Sequence, residues 1–168
     1  ETHLIGNYNL DNALVAVAVG RFFKIPAERI SRAIAAYEPT NNRSQLKNDE
    51  NNELIIDAYN ANPSSMKVAL DNFATMPARP NALILGDMRE LGPTSDELHT
   101  EVVARIKEGN YDKVFLCGEH FQKMPPENDF TTYATTEELI EALRKKSLEG
   151  YHVHDKGIAR DGPGEGGR

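Results

Sequence analysis

The stretch LIIDAYNANPSSMKVAL, residues 54–70, places an acid, an aromatic ring and two carboxamides directly after an apolar run. Asp57 can accept hydrogen bonds from sugar hydroxyls, and Tyr59 offers a flat face on which a base can stack. Asn60 and Asn62 each bring donors and acceptors, and Pro63 stands where a helix can begin. The plainest reading of Asn62 is local, a cap on that helix with Pro63 preset for its first turn. A second stretch, GDMRELG at 86–92, also follows an apolar run. Its plain reading is local too: Gly86 turns the chain, Asp87 makes an Asx turn, and Arg89 and Glu90 are solvated.

Other reactive residue types are sparse. His99 falls inside an acidic amphipathic segment and His120 follows Gly118, with no second His or Cys at ligand spacing, so no metal site is expected. Cys117 ends an apolar run without a neighbouring base and reads as core. No Gly-x-x-x-x-Gly-Lys-Ser/Thr loop occurs, so a nucleotide's phosphates would have to be held by another segment.

The elements that must carry these residues follow from the hydrophobic pattern. Short apolar runs at ELIID, NALILG, DKVFLCG, FTTYA and YHVH read as strands. Between them PSSMKVALDNFATM, SDELHTEVVARIKEG, a short EHFQKM and TEELIEALRKKSLEG read as helices. Strands separated by helices need crossover connections, which predicts an α/β fold: a Rossmann-like, mainly parallel sheet with helices on both faces. In such a sheet ligands sit beyond the carboxyl ends of the strands, which places Asp57–Asn62, Gly86–Glu90 and Gly118–His120 on one rim. Ahead of the sheet, NALVAVAVGRFF from Asn12 reads as a buried helix and PAERISRAIAAYEP as a second one. The polar, Asn-rich TNNRSQLKNDENNE between reads as a linker, with a boundary near Thr40.

A net charge of −7 argues against a phosphate-backbone partner, so no nucleic acid is expected. A single cysteine fits a reducing, cytoplasmic setting, and no apolar stretch approaches the roughly 20 residues of a membrane span. The first residues, ETHLIGNYNLDN, have neither an initiator methionine nor a signal sequence, and the chain reads as part of a longer protein.

Taken together, GNYNLDN at 6–12, Arg43, DAYNANPSSM at 57–66 and GDMRELG resemble the Mur ligase family. The YNANP motif with Ser-Met after it points to the branch that joins D-alanyl-D-alanine to UDP-N-acetylmuramoyl-tripeptide. The resemblance implies residues 1–40 as the last helices of a central ATPase domain, 41–153 as the C-terminal domain, and N-terminal and central domains missing upstream. It implies ATP-binding roles for Asn12 at the adenine, Arg43 at the phosphate or ribose, Asp57 at the ribose, Tyr59 beside the base, and Asn62. Asn60, Pro63, Asp87 and Met88 would form the rim facing the dipeptide. Tyr8 replaces the family's His, and Ile56 stands where many relatives carry a second acid. ATP and Mg would serve the full-length enzyme through an acyl phosphate, with the phosphate lysine and Mg ligands outside this chain, which is expected to be inactive alone. Another Mur-like amide ligase, of the folylpolyglutamate synthetase type, and a non-catalytic nucleotide-binding α/β module are the alternatives.

The end, HDKGIARDGPGEGGR, departs from the family's KGSRG and closing helix. Codons can be chosen for Asp155 onward that, read one base later, give Ile-Lys-Gly-Ser-Arg-Gly-Met-Ala-Leu-Glu-Lys-Val-Val. Residues 154–168 are therefore expected to be an aberrant, disordered tail produced by a frameshift near His154, with no functional role.

Overall fold

The computed structural model describes residues 2–6, 8–39, 45–48, 51–58, 60–76, 80–125 and 130–158. Two helices lead, α1 (Tyr8–Phe22) and α2 (Ala27–Ala35). Strands and helices then alternate: β1 (Gln45–Asn48), β2 (Glu53–Asp57), α3 (Pro63–Phe73), β3 (Asn81–Gly86), α4 (Ser95–Glu108), β4 (Lys113–Cys117), α5 (Glu119–Gln122), β5 (Phe130–Tyr133), α6 (Thr136–Lys145) and β6 (His152–Lys156). The strands form one sheet in the order β1-β2-β6-β3-β4-β5, parallel throughout except for the antiparallel pair β1 and β2. The expected α/β sheet is the one observed.

The order explains the two layers. From β2 to β5 the chain advances in one direction, and right-handed crossovers put α3, α4 and α5 on one face. The return from β5 to β6 reverses direction and puts α6 on the other. The cores follow suit: Met66, Leu70, Phe73, Val102, Ile106 and Phe121 pack on Ile55, Leu83, Leu85, Val114 and Leu116. Leu139 of α6 packs with Ala82, Ile84, Cys117, Val153 and Ile158.

Local chemistry sets the helix ends. Asn62 caps α3, its Oδ1 accepting from the Ser65 N–H at 2.9 Å while the Ser65 hydroxyl accepts from the Asn62 N–H at 3.2 Å, with Pro63 at the first position. Thr135 likewise caps α6, accepting from the Glu138 N–H at 3.3 Å.

Three expectations need correction. The supposed linker contains β1, in register with β2 from Gln45↔Ile56 to Asn48↔Glu53. A polar, largely exposed strand is what a sheet edge tolerates, and its lack of apolar alternation hid it. Helix α1 begins at Tyr8 rather than Asn12 and is not a buried helix: Leu14, Val15, Val19 and Phe22 are all exposed. Finally, residues 154–158 are ordered core, not tail. His154, Asp155 and Lys156 complete β6 between β2 and β3, and Ile158 is buried beneath α6. Without β6 the two central strands would lose their shared neighbour and its hydrogen-bond ladder. Thr40 and residues 159–168 lie outside the described residues.

Asp155 is 1% exposed and pairs in register with Ile56 and Ile84, on the face that α6 covers.

Candidate functional site

The end of β2 and the loop into α3 face α1 and α2 across a cleft of about 920 Å³. One wall is apolar, with Ala13, Ala16, Ala33 and Ile34 from the two helices. The opposite wall is polar, with Asp57, Asn60, Asn62, Ser64 and Ser65, and Lys156 joins it from β6. Asn12 lies on the α1 side, its Nδ2 donating to Asn9 Oδ1 at 3.0 Å, and Asn9 Nδ2 in turn donates to the Ile5 carbonyl at 2.6 Å. Lys156 Nζ donates to Asp57 Oδ2 at 2.6 Å and to the Asn60 carbonyl at 3.3 Å.

Among the described lining residues Asp57 and Lys156 are the only charged ones, and they pair. An apolar wall facing carboxamides, hydroxyls and one carboxylate suits a base and its sugar. It does not suit a bare triphosphate, whose charge would need cations from elsewhere.

A second cleft, of about 820 Å³, opens beyond β3, β4 and β5 and includes Asp87, Met88, Arg89, Glu119, His120 and Thr136. Its floor is held by a polar network. Asp87 accepts from the N–H groups of His120 (2.9 Å) and Phe121 (3.2 Å), fastening the start of α5 rather than making the expected Asx turn. The His99 ring, 0% exposed, accepts at Nε2 from the Met88 N–H at 3.0 Å, and Nδ1 donates to the Ser95 carbonyl at 2.7 Å. The geometry is that of the neutral ring.

Burial opposes charge on His99, but Asp87, 3.5 Å from Nε2, and the Ser95 carbonyl favour the protonated ring and hold its pKa above the ordinary histidine value, whereas Nε2 accepts from the Met88 N–H only while the ring is neutral. Partial burial pushes the Asp87 carboxyl up, and the His99 ring and the two backbone donors outweigh that and bring it below the usual carboxylate range. Burial raises the Cys117 thiol, as befits a core cysteine.

The family model for the Mur ligase, glutamate ligase domain matches residues 42–157. The chain belongs to the Mur ligase family. Over 160 residues it is 31% identical to the UDP-N-acetylmuramoyl-tripeptide–D-alanyl-D-alanine ligase of Bacillus subtilis, covering 88% of this chain and 34% of that protein. The chain thus spans about a third of that relative's length. A solved D-alanyl-D-alanyl ligase of Acinetobacter baumannii superposes with a TM-score of 0.79 at 22% identity, covering 90% of this chain and 34% of that one. A Thermotoga maritima MurF ligase, solved in complex with ADP, gives 0.65 at 19% identity, covering 83% and 32%. At those identities the two structures show the Mur ligase fold alone.

In this Mur ligase domain, Asn12, Asp57, Asn60 and Asn62 come together around the first cleft. Pro63 borders a separate groove between α3 and α4. Asp87 and Met88 line the second cleft, with the Met88 side chain 1% exposed in the core. Arg43 and Tyr59 lie outside the described residues. Two structural roles went unread. Lys156 sits in the segment set aside as tail, and His99 shares the inward helical spacing of Ser95, Val102, Val103 and Ile106, a signal that the 3.6-residue period carries.

Proposed function

We propose that this chain is the nucleotide-closing part of an ATP-dependent ligase that joins D-alanyl-D-alanine to UDP-N-acetylmuramoyl-tripeptide. The observation that carries the reading is the first cleft: an apolar helical wall opposite Asp57, Asn60 and Asn62, with a neutral charge balance suited to a nucleoside. The B. subtilis relative's name gives the substrates, and the ADP of the T. maritima structure gives the nucleotide.

On this reading Asn12 reads the adenine edge, Asp57 accepts from the ribose hydroxyls, and Asn62 keeps the start of α3 in place beside them. Arg43 and Tyr59 complete the phosphate and base contacts. Asn60 and Pro63 border the acceptor side, where Asp87 and the Met88 backbone hold the rim. ATP supplies the activation of the tripeptide carboxylate; attack by the dipeptide amine then forms the amide, with ADP and phosphate released. The phosphate-holding loop and Mg ligands belong to residues upstream of this domain, and the exposed apolar side of α1 packs there. A cytoplasmic location goes with nucleotide-linked substrates.

The test is ADP release. The longer chain that carries residues 1–168 is expected to release ADP only with both the UDP-linked tripeptide and D-alanyl-D-alanine present, and residues 1–168 alone to release none. In the longer chain Asp57→Ala is expected to raise the KM for ATP about tenfold, the loss of one charge-assisted hydrogen bond. ADP release that ignores the dipeptide, or turnover by residues 1–168 alone, would contradict the reading.

A further inference from the structure

Lys156 is among the most buried side chains in the molecule, 1% exposed, yet it is the last residue of a central strand and lies against the first cleft. An ammonium in that position is retained only where its partners replace water. Its partners are Asp57 Oδ2 at 2.6 Å and the Asn60 carbonyl at 3.3 Å. Asp57 and Lys156 are also register partners at the ends of β2 and β6. One side chain therefore ties two strand ends to the loop that forms the polar wall. With Oδ2 engaged by the lysine, recognition of a sugar falls to Oδ1.

We infer that Lys156 is a positioning residue for the nucleoside: it orients the Asp57 carboxylate toward the ribose diol and cancels its charge, so that a polyanionic nucleotide is not repelled. The role rests on the nucleotide reading of the cleft. Lys156 acts through Asp57 and needs no contact of its own with the sugar.

The discriminating readout is the preference of residues 1–168 for ADP over 2′,3′-dideoxy-ADP, measured by calorimetric titration. The unsubstituted chain is expected to bind ADP at least tenfold more tightly. Lys156→Met is expected to bind both equally, at or below the level at which the unsubstituted chain binds the dideoxy analogue, and Lys156→Arg to recover part of the preference. A folded Lys156→Met that keeps the tenfold preference would overturn the role. Should Lys156→Met fail to fold because it strands the Asp57 carboxylate, the double variant Asp57→Asn with Lys156→Met is compared with Asp57→Asn alone. Equal ADP affinities support a role exercised through Asp57, and a further tenfold loss in the double variant contradicts it. If the unsubstituted chain binds neither nucleotide, the reading of the cleft fails and this role with it. If it binds both equally, the cleft still takes a nucleotide but the diol role of Asp57 and Lys156 is overturned.

Discussion

Gly86→Ala is expected to lower the unfolding free energy by about 3 kcal/mol, the upper end for overpacking, and to weaken nucleotide binding with it. A Cβ at Gly86 would stand 2.4 Å from the Gly157 carbonyl oxygen and 2.7 Å from its carbon. Both are backbone atoms, so no side-chain rotation relieves the clash. Gly157 has φ 80°, and a Cβ there would come within 2.8 Å of the Ala61 methyl, so it is held from the other side by the β2–α3 loop. Making room at Gly86 therefore moves Gly157, and with it Lys156, the Asp57 ion pair and the wall of the first cleft. Gly92→Ala is the control: it has φ 59° with open space around it, and its cost is only the left-handed backbone, about 1 kcal/mol. Urea unfolding of the two variants separates the cases; equal midpoints would show that the close approach of β3 and β6 carries no energy.

Acidification is expected to weaken the fold through His154 by about 3 kcal/mol between roughly pH 6.5 and pH 4. The ring lies 5% exposed on the α3 face of the sheet, edge-on to Phe73 with ring centroids 4.9 Å apart. Burial drives its pKa down to about 4, against an upward pull from Asp57 and with a further downward push from Lys156. Because the folded value is below the unfolded one, near 6.5, the unfolded chain takes up the proton first. Stability from this group is whole above the unfolded pKa and falls as pH drops toward the folded value, below which the group adds no further slope. His154→Leu, similar in volume and uncharged, is expected to remove most of that slope. Unfolding free energies of the two proteins at pH 7 and pH 4.5 measure it, and parallel losses would assign the acid sensitivity to other groups.

Legibility in the sequence varied with how much each element relied on its own residues. Strands β2, β3 and β4 are apolar runs closed by turn residues, and the Asn62-Pro63 start of α3 is purely local chemistry. Both could be read directly. Strand β1 could not, because an edge strand needs only backbone pairing and Gln45, Lys47 and Asn48 carry no burial signal. Strand β6 was read only in its first half, at YHVH: HVHDK looks half-polar, yet every residue of it is buried. The polarity of Lys156 and His152 is met by tertiary partners, Asp57 for Lys156 and Glu53, 3.1 Å from the His152 ring, and those partners are about a hundred residues away. That distance is also why Lys156 was unread while Asp57 was recognised. Conversely, the apolar side of α1 promised a buried helix, whereas within the described residues it is exposed.

Amide chemical-shift mapping of residues 1–168 titrated with ADP tests most directly whether the first cleft is the nucleoside half of an ATP site. The predicted result is a set of shifts at Asn9, Asn12, Asp57, Asn60, Asn62, Ser64 and Lys156, on both walls of the cleft. Shifts confined to Asp87–Leu91 and Gly118–His120, or none with ADP at millimolar concentration, would contradict it.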